Sequence, residues 1–259
     1  MIHATAIINP GAELAEDVRV GPYAVIGANV KIGKGTIIGS HAVIDGWTTI
    51  GENNRISQLA SVGAPPQDIK YKGEATTLEI GDNNVIREFV TLHLGSPGGI
   101  GKTVVGSNNM FMAYSHVAHD CHVGNNVIMA NSATLAGHVT IGNNVVFGGL
   151  CAVHQFTRIG DFCMIGGGTM VGQDVVPYTI ATSEERRAAS LRGLNLIGLK
   201  RNGFSDDLIR DIKTMYKILV FSGLKLPDVL LKIRNVVKES PERDNFLAFI
   251  EGSKRGICK

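Results

Sequence analysis

Residues 20–44 read VGPYAVIGANVKIGKGTIIGSHAVI, with an aliphatic side chain at every sixth position. The same step runs unbroken from Ile8 to Val62, and it resumes from Ile80 to Leu92 and from Val105 to Val171. A helix repeats at 3.6 residues and a strand alternates at two, so neither explains a period of six. Six is the period of the hexapeptide parallel β-helix, in which each hexad supplies one short strand and one corner.

Three hexads make one triangular coil, so residue n is expected to stack on residue n+18. Glycine is abundant, at 32 of 259 residues, against a usual share of about 7%. It often follows the aliphatic residue, and Asn-Asn pairs such as Asn53-Asn54 and Asn143-Asn144 recur after it. We interpret these glycines and asparagines as the residues of corners that require a positive φ.

The fold class is predicted to be mainly β: a left-handed parallel β-helix over residues 1–180, followed by a small α-helical domain over 190–259. In the second domain, segments 204–222 and 226–239 place apolar residues at i, i+3 and i+4. Ser205, followed by two aspartates, is a plausible helix N-cap.

Two insertions interrupt the register, at residues 64–79 and 94–104. Counting by 18 from Val117 gives one face with Leu135, Val153 and Val171. If the loops are simple excursions, Leu92 and Val62 belong to the same face, so both insertions leave from one corner, a coil apart. Insertions into a solenoid are tolerated at corners and often mark the binding face.

Histidines gather at that corner. Four of the eight in the chain (His93, His119, His138 and His154) fall in adjacent rows there, and His116 and His122 flank His119. A column of histidines beneath two loops predicts a functional site.

Charge and composition bear on the cellular location of the protein and on its partners. The net charge is +2, but residues 180–259 carry 16 basic and 10 acidic residues, whereas the first 179 carry 9 and 13. The basic end fits an acidic partner or, as readily, a solvated helix face. The four cysteines lack C-x-x-C spacing, the N-terminus lacks the features of a signal peptide, and no apolar run is long enough for a membrane span. A cytoplasmic protein is therefore expected, with no nucleic-acid partner.

Two chemistries fit the histidines. The first is zinc, as in the gamma-carbonic anhydrases, with His116, His119 and His122 as ligands. On a flat strand, however, His119 is out of phase with the other two. The second is general-base acyl transfer, in which a neutral His119, oriented by Asp120, takes a proton from an attacking hydroxyl. The Gly137 N–H, stacked on His119, would then face the oxyanion. A non-catalytic trimeric scaffold is a third reading.

The motifs around these residues are specific. The runs HVAHDC at 116–121, LAGHV at 135–139 and AVHQF at 152–156 resemble the bacterial UDP-N-acetylglucosamine O-acyltransferases of lipid A synthesis. The runs QDIKY at 67–71 and GLKR at 198–201 extend the resemblance over nearly the whole chain.

The resemblance implies transfer of a 3-hydroxyacyl group from acyl carrier protein to the 3-hydroxyl of UDP-N-acetylglucosamine (UDP-GlcNAc), by a cytoplasmic homotrimer with sites between subunits. It implies His119 as the general base, with Asp120 beside it and Gly137 at the oxyanion, and no metal or other cofactor. The acidic carrier protein would dock on the basic C-terminal helices. The remaining site residues would hold the sugar, acyl and nucleotide groups: Gln67, Asp68, Lys70, His116, His138, His154, Gln155, Asn195 and Arg201.

Three positions bear on specificity. Ile197 and Asn202 depart from the Glu and Arg that some relatives carry, and the acceptor could also be a 3-amino analogue of UDP-GlcNAc. Gly167 matches the residue that limits acyl length in the family. Each buried methylene contributes only about 0.8 kcal/mol, so a sharp choice of length needs a steric stop, and a glycine there predicts a long chain of about 14 carbons.

Overall fold

A computed structural model describes residues 1–183 and 188–259. The predicted left-handed parallel β-helix is confirmed: short strands wind into a three-sided prism, and each strand pairs in parallel with the strand one coil away. We number the faces in the order in which the chain first meets them. Each corner takes the number of the face that the chain is leaving.

The first face contains Ile7–Ile8, Val25–Ile26, Val43–Ile44, Ser61–Ala64, Thr91–His93, His116–Val117, Thr134–Leu135, Ala152–Val153 and Met170–Val171. The second face contains Glu13–Leu14, Lys31–Ile32, Trp47–Ile50, Thr77–Ile80, Lys102–Val105, His122–Val123, Thr140–Ile141 and Arg158–Ile159. The third face contains Arg19–Val20, Ile37–Ile38, Arg55–Ile56, Val85–Ile86, Met110–Phe111, Ile128–Met129, Val146–Phe147, Met164–Ile165, Thr179–Thr182 and Ser190–Leu194.

The aliphatic hexad positions fill the interior of the prism. Ile26, Ile44 and Leu92 are fully buried on the first face, as are Phe111 and Ile165 on the third. Each strand of two residues points one side chain inward and one outward, because successive side chains in a strand alternate. The hexad period thus becomes one continuous apolar core along the prism axis.

Both insertions leave the first corner, as predicted. Pairing on the first face normally joins residues 18 apart, as in His116 with Thr134. Val62 instead pairs with Leu92 and Leu92 with Val117, which are 30 and 25 residues apart, so the loops add twelve and seven residues. The loops are shorter than predicted, at 65–76 and 94–101. Strand residues from Thr77 and from Lys102 pair with each other and extend the second face.

The corners are not built as we expected. The predicted asparagines Asn53 and Asn144 do have positive φ, at 55° and 57°. Most glycines that follow an aliphatic residue do not. A Cβ on Gly33 would lie 2.6 Å from the carbonyl oxygen of Gly51 in the next coil. Glycine is therefore needed at such positions because stacked coils approach closely, not because the corner is left-handed.

The three corners differ in composition. At the second corner the positive-φ residues other than glycine are asparagines as far as residue 144: Asn53, Asn83, Asn108, Asn126 and Asn144. Phe162 and Tyr178 take the corresponding places at the end of the prism, where they pack against the helical region. At the third corner they are mostly large and exposed: Tyr23, His41, Leu59, Phe89, Tyr114 and Leu150. At the first corner they include Asp120, His138 and Phe156. The chain thus presents a different chemistry along each edge of one prism.

Beyond the prism, the described residues form four helices: α1 (Leu196–Arg201), α2 (Asp206–Phe221), α3 (Leu226–Val236) and α4 (Pro241–Glu251). The Ser205 hydroxyl caps α2 by accepting a hydrogen bond from the Leu208 N–H at 3.2 Å, as predicted. Residues 190–194, which we assigned to the helical domain, instead form a strand antiparallel to Thr179–Thr182. None of the helices in the described residues is long and apolar enough to cross a bilayer.

The helices pack on the end of the prism. Tyr178 joins the apolar cluster of the helical region. The Asn245 side chain donates to Asp161 at 2.8 Å and to the Tyr178 hydroxyl at 3.1 Å. The Arg158 guanidinium lies 4.3 Å from the centre of the Phe249 ring. These buried contacts attach the helical region firmly to the last coils.

Candidate active site

His119 and Asp120 form a hydrogen-bonded pair at the first corner. Nδ1 of His119 lies 2.8 Å from Oδ2 of Asp120. The Asp120 side chain is fully buried, whereas 17% of the His119 side chain remains exposed. A carboxylate accepts hydrogen bonds only, so the proton of a neutral His119 lies on Nδ1 and leaves Nε2 as a free base.

The second loop holds the Asp120 carboxylate. The Ser96 N–H donates to Oδ2 at 3.0 Å and the Gly101 N–H donates to Oδ1 at 2.9 Å. The Thr103 hydroxyl accepts a hydrogen bond from the backbone N–H of Asp120 at 2.9 Å. Loop 94–101 therefore fixes the acid that orients His119.

Gly137 lies directly against the His119 ring. A Cβ on Gly137 would lie 2.6 Å from Cε1 and 2.7 Å from Nε2 of His119. In the described part of the chain the Gly137 N–H donates to no carbonyl or side chain. The predicted stacking of Gly137 on His119 is confirmed, and the free N–H lies at the same corner as the base.

His138 completes the centre of the site. Its ring stacks on Phe156 with centroids 4.4 Å apart, and it meets the His119 ring edge-on at 5.0 Å. Its Nδ1 lies 4.0 Å from Oδ2 of Asp120. Burial lowers the pKa of His138, and the charge of Asp120 partly opposes that shift. His138 is therefore neutral near pH 7 and available as a hydrogen-bond partner.

His116 and His93 lie behind this centre on the first face. Nδ1 of His116 is 2.6 Å from the Thr91 hydroxyl. His93 meets His116 edge-on at 4.8 Å, and its own Nδ1 has no partner among the described residues. Burial, followed by the neighbouring His116, lowers the pKa of His93 to about 4. The pKa of His116 is lowered first by burial and then by His119.

The first loop brings Asp68 to the same corner. Its Oδ2 accepts a hydrogen bond from the Ser96 hydroxyl at 2.5 Å. That bond, with a second from the Lys70 N–H, lowers the pKa of Asp68. Gln67 and Lys70 lie beside it with exposed side chains. Their position over the histidine corner agrees with the sequence analysis.

Two predicted residues, His154 and Gln155, lie one coil further on. Both are exposed, and Nδ1 of His154 lies 3.1 Å from the Gln155 carbonyl oxygen. A groove of about 360 Å³ runs past His154 between Met170 and Gly172. These two residues line the corner but do not contact the His119–Asp120 pair.

The alternative zinc set of His116, His119 and His122 is not assembled in the described residues. His122 lies exposed on the second face, away from His119. The groups that do converge are those of His119, Asp120 and His138, whose ligand atoms lie within 4.8 Å of one another. Both oxygens of Asp120 already accept N–H hydrogen bonds. Because both carboxylate oxygens are already engaged, these groups are better suited to orienting His119 as a base than to binding a metal ion.

Asn195 also differs from expectation. It caps α1: its Oδ1 accepts from the Gly198 N–H at 3.1 Å and its Nδ2 donates to the Phe162 carbonyl at 2.9 Å. With both side-chain groups engaged, Asn195 fixes the start of α1 and offers no free polar group. Together with Arg201 and Ile197 it lines a groove of about 520 Å³ beside the third face.

Gly167 lies at the third corner, not the first. A Cβ there would contact the Gly149 carbonyl oxygen at 3.4 Å, an ordinary packing distance. Its φ lies outside the left-handed region, so larger residues are tolerated. The position can therefore hold a side chain that would project from the prism.

Sequence reasoning missed Ser96, Gly99 and Thr103. A Cβ on Gly99 would collide with the Asp120 carboxylate and the His138 ring. Thr103 could have been found, because it precedes Asp120 by 17 residues and so lies one coil away. The loop residues could not, because their contacts follow no hexad period.

The family models agree with this geometry. Residues 174–258 match the model described as Udp N-acetylglucosamine O-acyltransferase, Domain 2. Residues 11–46 and 102–137 match the bacterial transferase hexapeptide model of six repeats.

Curated relatives match from end to end. The acyl-[acyl-carrier-protein]–UDP-N-acetylglucosamine O-acyltransferase of Trichlorobacter lovleyi is 66% identical over 258 residues, covering 100% of this chain and 99% of the relative. The enzyme of the same name from Thermodesulfovibrio yellowstonii is 53% identical with the same coverage.

Solved structures extend the match to three dimensions. LpxA from Acinetobacter baumannii superposes with a TM-score of 0.96 at 44% identity, covering 100% of this chain and 99% of the other. Identity and fold thus agree over the full length, and the chain belongs to the UDP-N-acetylglucosamine O-acyltransferase family.

Proposed function

We propose that this chain transfers a 3-hydroxyacyl group from acyl carrier protein to the 3-hydroxyl of UDP-GlcNAc, the first step of lipid A biosynthesis, in the cytoplasm. The observation that carries the proposal is the His119–Asp120 pair, with the free Gly137 N–H against the same imidazole. The family relationship supports the same reaction.

The mechanism is direct acyl transfer. Nε2 of His119 removes the proton of the sugar 3-hydroxyl while that oxygen attacks the thioester carbonyl. The Gly137 N–H donates to the resulting oxyanion, and Asp120 stabilises the imidazolium. When the intermediate collapses, the carbon–sulfur bond breaks and the thiolate recovers the proton from His119. The products are the 3-O-acyl sugar nucleotide and the free thiol of the carrier.

A covalent cysteine intermediate fits the site poorly. Cys121 is the cysteine next to the pair, and it is completely buried. Burial raises the pKa of its thiol to about 12, and its Sγ donates to the Ala136 carbonyl at 3.1 Å. A buried, protonated thiol is a weak nucleophile. Proton transfer by His119 therefore carries the chemistry.

The acceptor would lie beneath the two loops. The ionised Asp68 and the exposed Lys70 and Gln67 offer acceptors and donors to sugar hydroxyls. His116, His138 and Gln155 offer further polar groups along the same corner, and His154 lines it. The nucleotide end would meet Arg201 near the groove that Asn195 shapes.

The positions of these residues support a homotrimer. His119 is at the first corner, whereas Gly167 is at the third corner and Arg201 borders the third face. One prism cannot bring different corners into one cleft. The first corner of one copy and the third corner of the next can form such a cleft, and a three-fold ring closes that repeated contact.

The third corner has the surface of an interface. Tyr114 and Leu150 expose 59% and 72% of their area, and Phe89 stacks on Tyr114 at 4.8 Å. Large apolar residues with positive φ are unfavourable unless a contact offsets the strain. The second corner carries asparagines instead and suits solvent. This contrast supports burial of the third corner by another copy.

The basic helices would receive acyl carrier protein. Lys213 and Lys217 on α2, Lys225 before α3 and Lys232 on α3 are exposed. None of these four forms an ion pair with a carboxylate in the described residues. Unpaired cations attract an acidic partner and raise its association rate.

One product assay tests the proposed reaction. Purified protein would be offered UDP-GlcNAc or its 3-amino analogue, with 3-hydroxyacyl carrier proteins of several chain lengths, and the products would be identified by mass spectrometry. We expect an ester of UDP-GlcNAc with a long acyl chain. If only the 3-amino analogue is acylated, giving an amide, the acceptor is that analogue and not UDP-GlcNAc. If neither acceptor is acylated, the proposed reaction is contradicted.

A further inference from the structure

Ser96 lies between the two carboxylates of the candidate site. Its backbone N–H donates to Oδ2 of Asp120 at 3.0 Å, and its hydroxyl donates to Oδ2 of Asp68 at 2.5 Å. The Ser96 side chain is fully buried. One residue thus contacts both the acid that orients the base and the acid of the first loop.

The hydrogen bond between Ser96 and Asp68 anchors the first loop, residues 65–76. In the described structure, every other hydrogen bond of residues 65–76 stays within the loop. These internal bonds run from the Lys70 N–H to Asp68, from the Tyr71 hydroxyl to the Glu74 carbonyl, from the Lys72 N–H to the Glu74 carboxylate and between nearby backbone groups. Among the described residues, the Ser96 hydroxyl makes the only hydrogen bond between this loop and another part of the chain.

The link has a defined electrostatic role. Asp120 is hydrogen-bonded to His119, and Asp68 is close enough for the His119 charge to contribute to lowering its pKa. Two carboxylates held near one imidazole repel each other. The Ser96 hydroxyl is the strongest influence that lowers the pKa of Asp68, so it favours the ionised form. A hydrogen bond to a carboxylate is also stronger than one between neutral groups. Asp68 is therefore held as an acceptor at a set position relative to the base.

We infer that Ser96 is a positioning residue for the acceptor sugar, acting through Asp68. This inference rests on the proposed function. The Ser96 N–H survives substitution, so loss of the hydroxyl frees Asp68 and leaves the His119–Asp120 pair intact. Binding of the acceptor should weaken while the chemical step is preserved.

The test compares Ser96→Ala and Ser96→Thr with the wild-type protein. In Ser96→Ala we expect KM for UDP-GlcNAc to rise about tenfold, the loss typical of a hydrogen bond to a charged group. kcat should stay within about threefold, and threonine, which keeps the hydroxyl, should restore KM. A kcat that falls with KM unchanged would overturn the inference, and so would failure of threonine to restore KM.

A matched control is Ser115→Ala, which removes a buried hydroxyl with no hydrogen-bond partner among the described residues. It should leave KM unchanged. A readout independent of turnover is hydrogen exchange of amides 67–75 in the full-length protein. Exchange should accelerate in Ser96→Ala but not in Ser115→Ala. Unchanged exchange overturns the anchoring role. Absence of wild-type turnover, with faster exchange in Ser96→Ala, would instead contradict the proposed reaction.

Discussion

Nδ1 of His119 lies 2.8 Å from Oδ2 of Asp120, although the two residues are neighbours in the chain. Neighbouring side chains on a strand point to opposite sides. Here Asp120 has a φ of 58°, and this left-handed turn brings its carboxylate back to the imidazole. Aspartate tolerates that conformation better than most residues do. The corner of the β-helix thus assembles the proposed catalytic pair from adjacent residues.

His119→Ala should lower kcat at least about 100-fold, because it removes the group that accepts the hydroxyl proton. Steady-state kinetics with saturating UDP-GlcNAc measures the loss. His122→Ala is the matched control, since His122 is exposed on the second face and should be dispensable. Retention of full activity by His119→Ala would rule out the mechanism.

Gly137→Ala should reduce kcat by about 10-fold or more while the protein stays folded. The new methyl group would occupy space 2.6 Å from Cε1 of His119, so the imidazole must move away from the acceptor. Thermal unfolding and kinetics are measured together. Gly172→Ala is the control, because a Cβ there meets nothing within 4 Å. Equal activities of the two variants would contradict the role of Gly137.

Gly167→Met should shift the preferred donor to a shorter acyl chain. The Cβ fits, at 3.4 Å from the Gly149 carbonyl oxygen, so the rest of the side chain can project into the space proposed for the acyl end. Competition among donors of several lengths, read by mass spectrometry, should show about a tenfold loss for the longest one. Gly172→Met should keep the wild-type order. An unchanged preference in Gly167→Met would exclude the steric stop.

Leu150→Asp should convert the proposed trimer to a monomer and abolish activity. Leu150 is 72% exposed at the third corner, and burying a carboxylate in the interface carries a large desolvation cost. Aspartate accepts the positive φ of 60°, so the single chain should still fold. Light scattering after size exclusion gives the mass. Asn144→Asp, at the second corner, should remain a trimer, and a trimeric Leu150→Asp would place the interface elsewhere.

Acidification should destabilise the protein through His93. Its folded pKa of about 4 lies below the ordinary value of 6.5, so the unfolded chain binds the proton first. Its contribution to stability is complete above pH 6.5 and is lost as the pH falls toward 4. One such group costs about 2 kcal/mol at pH 5.

Urea unfolding at pH 7.5 and at pH 5.0, at one protein concentration, checks this expectation. Between pH 7.5 and pH 5.0 the free energy of unfolding should fall in both proteins. The fall should be about 2 kcal/mol smaller in His93→Gln than in the wild-type protein. The other buried histidines, His116 and His138, are common to both proteins and cancel in the comparison. An equal fall in both proteins would show that His93 is not held neutral.

The sequence by itself predicted the prism, the corner of the site and the His119–Asp120 pair. The aliphatic hexads allow one period. Counting by 18 placed His119 and Gly137 at one corner, and treating the loops as excursions placed both insertions there, as the pairing of Leu92 with Val117 bears out. Such inferences succeed because a solenoid repeats one local rule. Tertiary structure alone decided the contacts of Ser96 and Gly99, the use of Asn195 as a helix cap and the exclusion of His122. Those outcomes depend on the loops and on the direction in which each corner turns. At these places the distances between side chains are set by backbone segments that are far apart in the chain, not by the hexad spacing.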